Sequence, residues 1–319
     1  MLVERKIKTS INRFLSFICL ILATLFSSNI VFAQKNTQDI YDVYYFVGNK
    51  NFGDRLNEDL LKYFNIKYKF TGRQNAKNIF IGSILDCGLK QDNVNVFGAG
   101  FIHKPDKDFK LPEKLNLHCV RGKLTKKYIS MITGKKLDNC LLGDPGLLCS
   151  RIFPQDENKI YDVGIICHYC DKKSPYLKNI KLMNKTYTFI DIQAPTQEVC
   201  KKINQCKFIL SSAMHGLIAS DSYGIPNQRI ILTDNNWGHG SHFNFKFNDY
   251  YSIYENVSVP EAIDLKYCTI SDDDIDKYRN NYNIPQNVIS KYCDEYTTLI
   301  KNYFNKNHLN IKKIYYEKE

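Results

Sequence analysis

From Ile40 onward, short apolar runs that end at or near glycine alternate with amphipathic stretches. That alternation points to a parallel sheet covered by helices. "IYDVYYFVG" (40–48), "NIFIGS" (78–83), "VNVFGAG" (94–100) and "LNLHCVRG" (115–122) read as strands. "DRLNEDLLKYF" (54–64) places Leu56, Leu60, Leu61 and Phe64 on one helical face. A polar, proline-bearing segment, "FPQDENK" (153–159), then interrupts the pattern and is the best linker candidate. The pattern restarts with strands at 161–167 and 186–192, a helix at 196–205, and strands at 207–210 and 229–233. Two helices close the chain. The first starts at Ser271 with three aspartates in its opening turn, and the second has Pro285 in its first turn. The expectation is an α/β protein of two successive units, 38–155 and 156–319, the second carrying the closing helices. Open α/β sheets bind ligands beyond the carboxyl ends of their strands, and two facing sheets would leave a cleft between them.

The chain of 319 residues is long enough for two such domains, and 44% hydrophobic against 24% charged residues excludes a disordered protein. The net charge is +11; residues 1–33 hold Arg5, Lys6, Lys8 and Arg13 against Glu4, a net +3, which leaves +8 on the body. The body lysines are scattered and no nucleic-acid motif is present, so a small anionic substrate or an anionic surface suits the charge better than DNA. Basic residues before the apolar run "FLSFICLILATLF" (14–26), with Val31 and Ala33 at small-residue cleavage positions, read as a signal peptide. Uncleaved, the same segment is a signal-anchor that holds the protein to a membrane. Either reading sends the body into the secretory pathway or outside the cytoplasm; the alternative is a body tethered on the cytoplasmic face. Of eleven cysteines, Cys119, Cys149, Cys167 and Cys206 lie in or beside apolar runs and are expected in the core. "CHYC" (167–170) lacks a second ligand pair at zinc-finger spacing, and no metal site is expected.

The residues suited to chemistry gather at strand ends. "NKNFGDRLN" (49–57) puts Gly53 in a tight turn and Asp54 at a helix start or in the cleft. "GSIL" (82–85) and "GAGF" (98–101), with Gly100, allow close approach of backbone to a ligand. "VRGKLT" (120–125) sets Arg121 just before a helix, suited to holding an anion. "LGDPGLL" (142–148) reads as a structural turn. In the second unit His168 ends "GIICH", and "SSAMHG" (211–216) carries Ser211 and Ser212, able to cap a helix or bind an anion at its positive end. His215 follows them, at the mouth of a strand, as the leading candidate for acid–base chemistry.

Together these pieces resemble the polysaccharide pyruvyl transferases. The resemblance runs over roughly 49–251, through "NFGDRLNEDLL", "GSIL", "GAGF", "VRGKLT", "GDPGLL", "GIICHYCD", "CKFILSSAMHGLIASDSYGIPN" and "FKFNDYY", and the block around the histidine is its specific part. The resemblance implies a GT-B-like fold, two Rossmann-like domains facing a cleft. It also implies transfer of the enolpyruvyl group of phosphoenolpyruvate, as co-substrate, onto a sugar of a polysaccharide or glycan to form a pyruvate ketal. No cofactor or metal is implied. His215 becomes the catalytic acid or base and Asp54 its partner, with Arg121, His168, Ser211, Ser212, Gly53, Gly100 and Lys246 binding substrate. Many members carry arginine two residues before the histidine, where this chain has Ala213, while others have a small residue there as this chain does. Arg121, Arg73, Arg229 and Lys246 are the cations able to replace it. Two alternatives share the fold: a nucleotide-sugar glycosyltransferase and a non-catalytic glycan-binding protein.

Overall fold

The computed structural model describes residues 39–154, 158–233, 244–255, 257 and 260–316, with side chains to residue 304. The segment read as an export signal or anchor therefore lies outside the described residues, as do residues 155–157 of the expected linker. Among the described residues no helix is long and apolar enough to cross a membrane.

Residues from Ile40 on form one compact unit built on two all-parallel sheets. The first has six strands in the order β2-β1-β3-β4-β5-β6, drawn from β1 (Tyr41–Val43), β2 (Tyr68–Phe70), β3 (Asn78–Ile79), β4 (Val94–Phe97), β5 (Leu115–Val120) and β6 (Leu141–Leu142). The second has five in the order β11-β10-β9-β7-β8, from β7 (Tyr161–Cys167), β8 (Tyr187–Asp191), β9 (Cys206–Ser211), β10 (Asn227–Ile231) and β11 (Ile263–Asp264). Parallel strands need crossovers, and helices supply several of them. In the first half these include α1 (Phe52–Tyr63) and α2 (Lys123–Thr133). A short α3 (Cys149–Ile152) leads to the second half, which uses α4 (Thr196–Asn204), α5 (Met214–Ser222) and α6 (Phe245–Tyr251). The α/β expectation holds, down to the parallel pairing. The strand Tyr68–Phe70 was not foreseen; it is a short edge strand whose residues are half-buried or exposed, so it leaves no apolar run to read.

Local sequence explains the elements. Val163 to Cys167 are all buried, as a central parallel strand covered on both faces requires. In α1, Leu56, Leu60 and Leu61 are buried on one stripe. Ser271 caps α7 (Asp272–Asn281) with a reciprocal capping box to Asp274. The last helix, α8 (Gln286–Tyr316), returns to the first sheet. The Tyr296 hydroxyl donates to the Phe97 carbonyl at 2.8 Å, and the Phe304 ring lies 4.7 Å from that of Tyr41 and 5.6 Å from that of Phe97.

One core cluster joins the two sheets, with Leu56 and Leu147 of the first half packed in the same cluster as Ile166, Leu217 and Ile218 of the second. Polar contacts cross the same seam. The Phe52 amide donates to the Ile192 carbonyl at 3.0 Å, and Thr196 donates to Asp59 at 2.6 Å. Cys119, Cys149, Cys167 and Cys206 are buried free thiols, as their apolar neighbourhoods suggested. At Gly122 a Cβ would stand 1.8 Å from the Asp249 carbonyl oxygen, so this glycine lets α6 sit against the start of α2. Replacing Gly122 by alanine is expected to lower the urea unfolding free energy by about 2–4 kcal/mol. Gly72→Ala, where the nearest atom is a side-chain oxygen 3.6 Å away, should change it by less than about 0.5 kcal/mol.

Candidate active site

The strand ends of both sheets meet at one pocket of about 250 Å³, lined among others by Asn51, Asp54, Ser83, His168, His215 and Lys246. Wider depressions exist on the surface. One of about 460 Å³ follows the lysines of α2, but no residue lining it is buried and nothing there fixes an acid against a base.

His215 is in the first turn of α5, 8% exposed, and its imidazole is seated by the opposite half of the molecule. A Cβ on Gly53 would fall 1.9 Å from its Nδ1, and one on Gly146 would fall 3.5 Å from its Cδ2. Gly53 lies within the first turn of α1 and not in the tight turn expected of it; its lack of a side chain makes room for the ring. Asp144 faces the other ring nitrogen, with Oδ2 3.6 Å from Nε2. Its Oδ1 accepts the Gly146 amide at 2.8 Å. Both Oδ2 of Asp144 and Nε2 of His215 are buried without a hydrogen-bond partner, a condition that costs about 1–3 kcal/mol per group if left unmet.

Asp54 follows Gly53 and accepts from the Asn51 amide at 3.0 Å. Burial pushes its carboxyl above the usual range, against the pull of Asn51, His215 and Lys246. Lys246, on α6, is 9% exposed, and its ammonium is pushed down to about 8 by burial, then by the nearby charges of Arg121 and Arg229. Asp54 and Asp171 oppose that shift. Arg229 donates to Asn244 at 2.8 Å, and its guanidinium lies 3.6 Å from the Phe247 ring centre. Three cations therefore share one small region with the carboxyls of Asp54, Asp171 and Asp249. His168 is half-buried near Lys246, and desolvation first, then that charge, holds its imidazole down at about 4, so it is neutral near pH 7.

The remaining candidates sit behind this surface. Arg121 is fully buried; Nε donates to Asp249 at 3.0 Å, Nη1 to the Ser83 hydroxyl at 2.6 Å, and Nη2 to the Phe101 carbonyl. Its guanidinium fills the space that a Cβ on Gly100 would occupy, 2.5 Å from Cζ. It reaches the pocket through Ser83 rather than lining it. Ser211 is fully buried, accepting the Ala213 amide at 3.1 Å, and Ala213 itself is the N-cap of α5. Ser212 accepts the His168 amide at 2.9 Å and donates to Asp171 at 2.5 Å. Arg73 is exposed and donates to the Cys87 carbonyl at 3.0 Å.

Sequence reading did not single out Asp171 or Asp144. Asp171 is 5% exposed, its carboxyl is raised by burial, and its Oδ1 is buried without a partner. It closes "GIICHYCD", where the signal was the acid three residues after His168. Asp144 was hidden in what read as a turn.

The polysaccharide pyruvyl transferase model matches residues 8–227, more than half of the chain, and the chain belongs to that family. It is 31% identical over 248 residues to the uncharacterized protein L143 of Acanthamoeba polyphaga mimivirus, covering 74% of this chain and 81% of that one. It is 25% identical over 210 residues to the succinoglycan biosynthesis protein ExoV of Rhizobium meliloti, covering 63% of this chain and 60% of that one. An uncharacterized protein of Klebsiella pneumoniae superimposes with a TM-score of 0.38 at 12% identity, over 70% of this chain and 92% of that structure.

Lys246 gives the site a signature in stability. Between about 8 and its ordinary 10.5, the unfolded chain keeps the Lys246 proton and the folded chain releases it. Stability owed to this group therefore rises with pH across that window. The unfolding free energy of the native chain minus that of Lys246→Met should increase from pH 8 to pH 10; parallel curves would contradict it.

Proposed function

We propose that this chain transfers the enolpyruvyl group of phosphoenolpyruvate to two hydroxyls of a sugar residue in a polysaccharide or glycan, closing a pyruvate ketal and releasing phosphate. Membership of the pyruvyl transferase family supports the reaction. The observation that carries the reading to these residues is the pocket, which joins Asp54, His215 and Lys246 from three elements in one small volume.

The chemistry asks for an acid, a base and cations. A proton added to C3 leaves C2 electron-poor, and one sugar hydroxyl attacks it, losing its own proton. A second hydroxyl then attacks C2 as the C2–O bond to phosphate breaks. Of the two hydroxyl protons, one balances the new methyl group and the other leaves with phosphate. In this reading His215 exchanges protons with the reacting groups, and Asp54, held toward its protonated form by burial, is the second acid–base group. Lys246 pairs with the donor's carboxylate or phosphate, with Arg121 and Arg229 adding positive potential from behind. Lys246 is then the cation that stands in for the arginine replaced by Ala213. Tyr44, Phe46 and Tyr169 line the same pocket and offer apolar ring faces to a sugar.

The reading is tested by incubating the body from Gln34 with labelled phosphoenolpyruvate and galactose, glucose or mannose acceptors. Label is expected in the sugar product with release of phosphate. His215→Gln should lower kcat by roughly 100-fold or more, and Lys246→Met should raise the KM for phosphoenolpyruvate by roughly 10-fold or more. Release that depends on a sugar nucleotide instead, or full activity in His215→Gln, would count against it.

A further inference from the structure

We propose that Asp144 is the positioning residue for His215: its carboxylate fixes the proton on Nε2 and leaves Nδ1 as the nitrogen for acid–base exchange. This rests on the role given to His215 above. The geometry carries it. Asp144 is 0% exposed, and its Oδ1 is pinned by the Gly146 amide at 2.8 Å, so Oδ2 has one direction to face. That direction is His215 Nε2, 3.6 Å away, and neither atom has another hydrogen-bond partner. The gap exceeds a hydrogen bond. Catalytic hydrogen bonds are commonly long before substrate binds, and a small rotation of the ring would close this one. Gly53 and Gly146 lie against the ring and restrict the other ways it could turn.

The groups that share this surrounding are few. Asp144 comes from the loop after β6, Asp54 from α1 and Lys246 from α6. Asp54 and Lys246 line the pocket with His215, whereas Asp144 lies behind the ring and touches no pocket surface. A carboxylate behind a histidine, aimed at one nitrogen, selects the tautomer and orientation of the other. The "GDPGLL" segment, which reads as a turn, thus does two jobs with two oxygens. Oδ1 builds the turn and Oδ2 orients the histidine.

The test is spectroscopic first. In ¹⁵N-histidine-labelled native protein, at a pH where the ring is neutral and with His215 assigned by comparison with His215→Gln, the Nε2–H tautomer is expected. In Asp144→Asn the amide oxygen still accepts from Gly146 while the amide NH₂ faces Nε2, so the Nδ1–H tautomer is expected. The kcat for phosphate release should fall roughly 100-fold or more, with the KM for phosphoenolpyruvate within about 3-fold. A native Nδ1–H tautomer overturns the proposal, and so does an Asp144→Asn protein with unchanged tautomer and kcat. If Asp144→Asn does not fold, the native tautomer alone decides. Should the native protein show no turnover of phosphoenolpyruvate, the functional reading falls while the tautomer still judges Asp144.

Discussion

The seating of one imidazole holds the account together. His215 belongs to the second sheet by sequence, yet the atoms that enclose its ring belong to the first: Gly53 on one side, Asp144 and Gly146 on the other. Helix α5 can deliver the histidine only if the two halves are joined to within ångströms. That joining is done by a shared core through Leu56, Leu147, Leu217 and Ile218, and by α8 returning to the first sheet. Activity in such a site depends on packing far from the chemistry, because a small error in the seam displaces the ring.

Electrostatics supplies the second constraint. A buried ammonium and a buried carboxyl are each unfavourable alone, and here each is shifted toward its neutral form by burial. The buried Arg121 is enclosed by acceptors, Asp249, Ser83 and the Phe101 carbonyl, which meet its N–H groups. Lys246, Arg121 and Arg229 lie close together there, beside the carboxyls of Asp54 and Asp171, and clustered like charge is how a site can bind an anion without a large contact area.

Much of this was legible in the sequence. Strand ends placed His215, His168 and Asp54 at carboxyl ends of parallel strands, and the pocket lies there. The spacing of Leu56, Leu60 and Leu61 gave α1 its buried face. What could not be read was any role needing two distant segments at once. Asp144 is 71 positions from His215, and nothing local separates a turn aspartate from one that also faces a ring. Asp171 meets Ser212 across 41 positions for the same reason. Arg121 sits at a strand end, as expected of an anion clamp, but Asp249, 128 positions on, occupies it. The return of α8 to β4 was equally invisible, since its periodic apolar face does not name the surface it covers.

The measurement that bears most directly on the central claim is a crystal structure of the body grown with phosphoenolpyruvate. The account predicts the ligand in the pocket between the sheets, with an anionic group within hydrogen-bond distance of Lys246 Nζ and C3 facing His215. Phosphoenolpyruvate bound elsewhere, or a sugar nucleotide filling that pocket in competition, would contradict it.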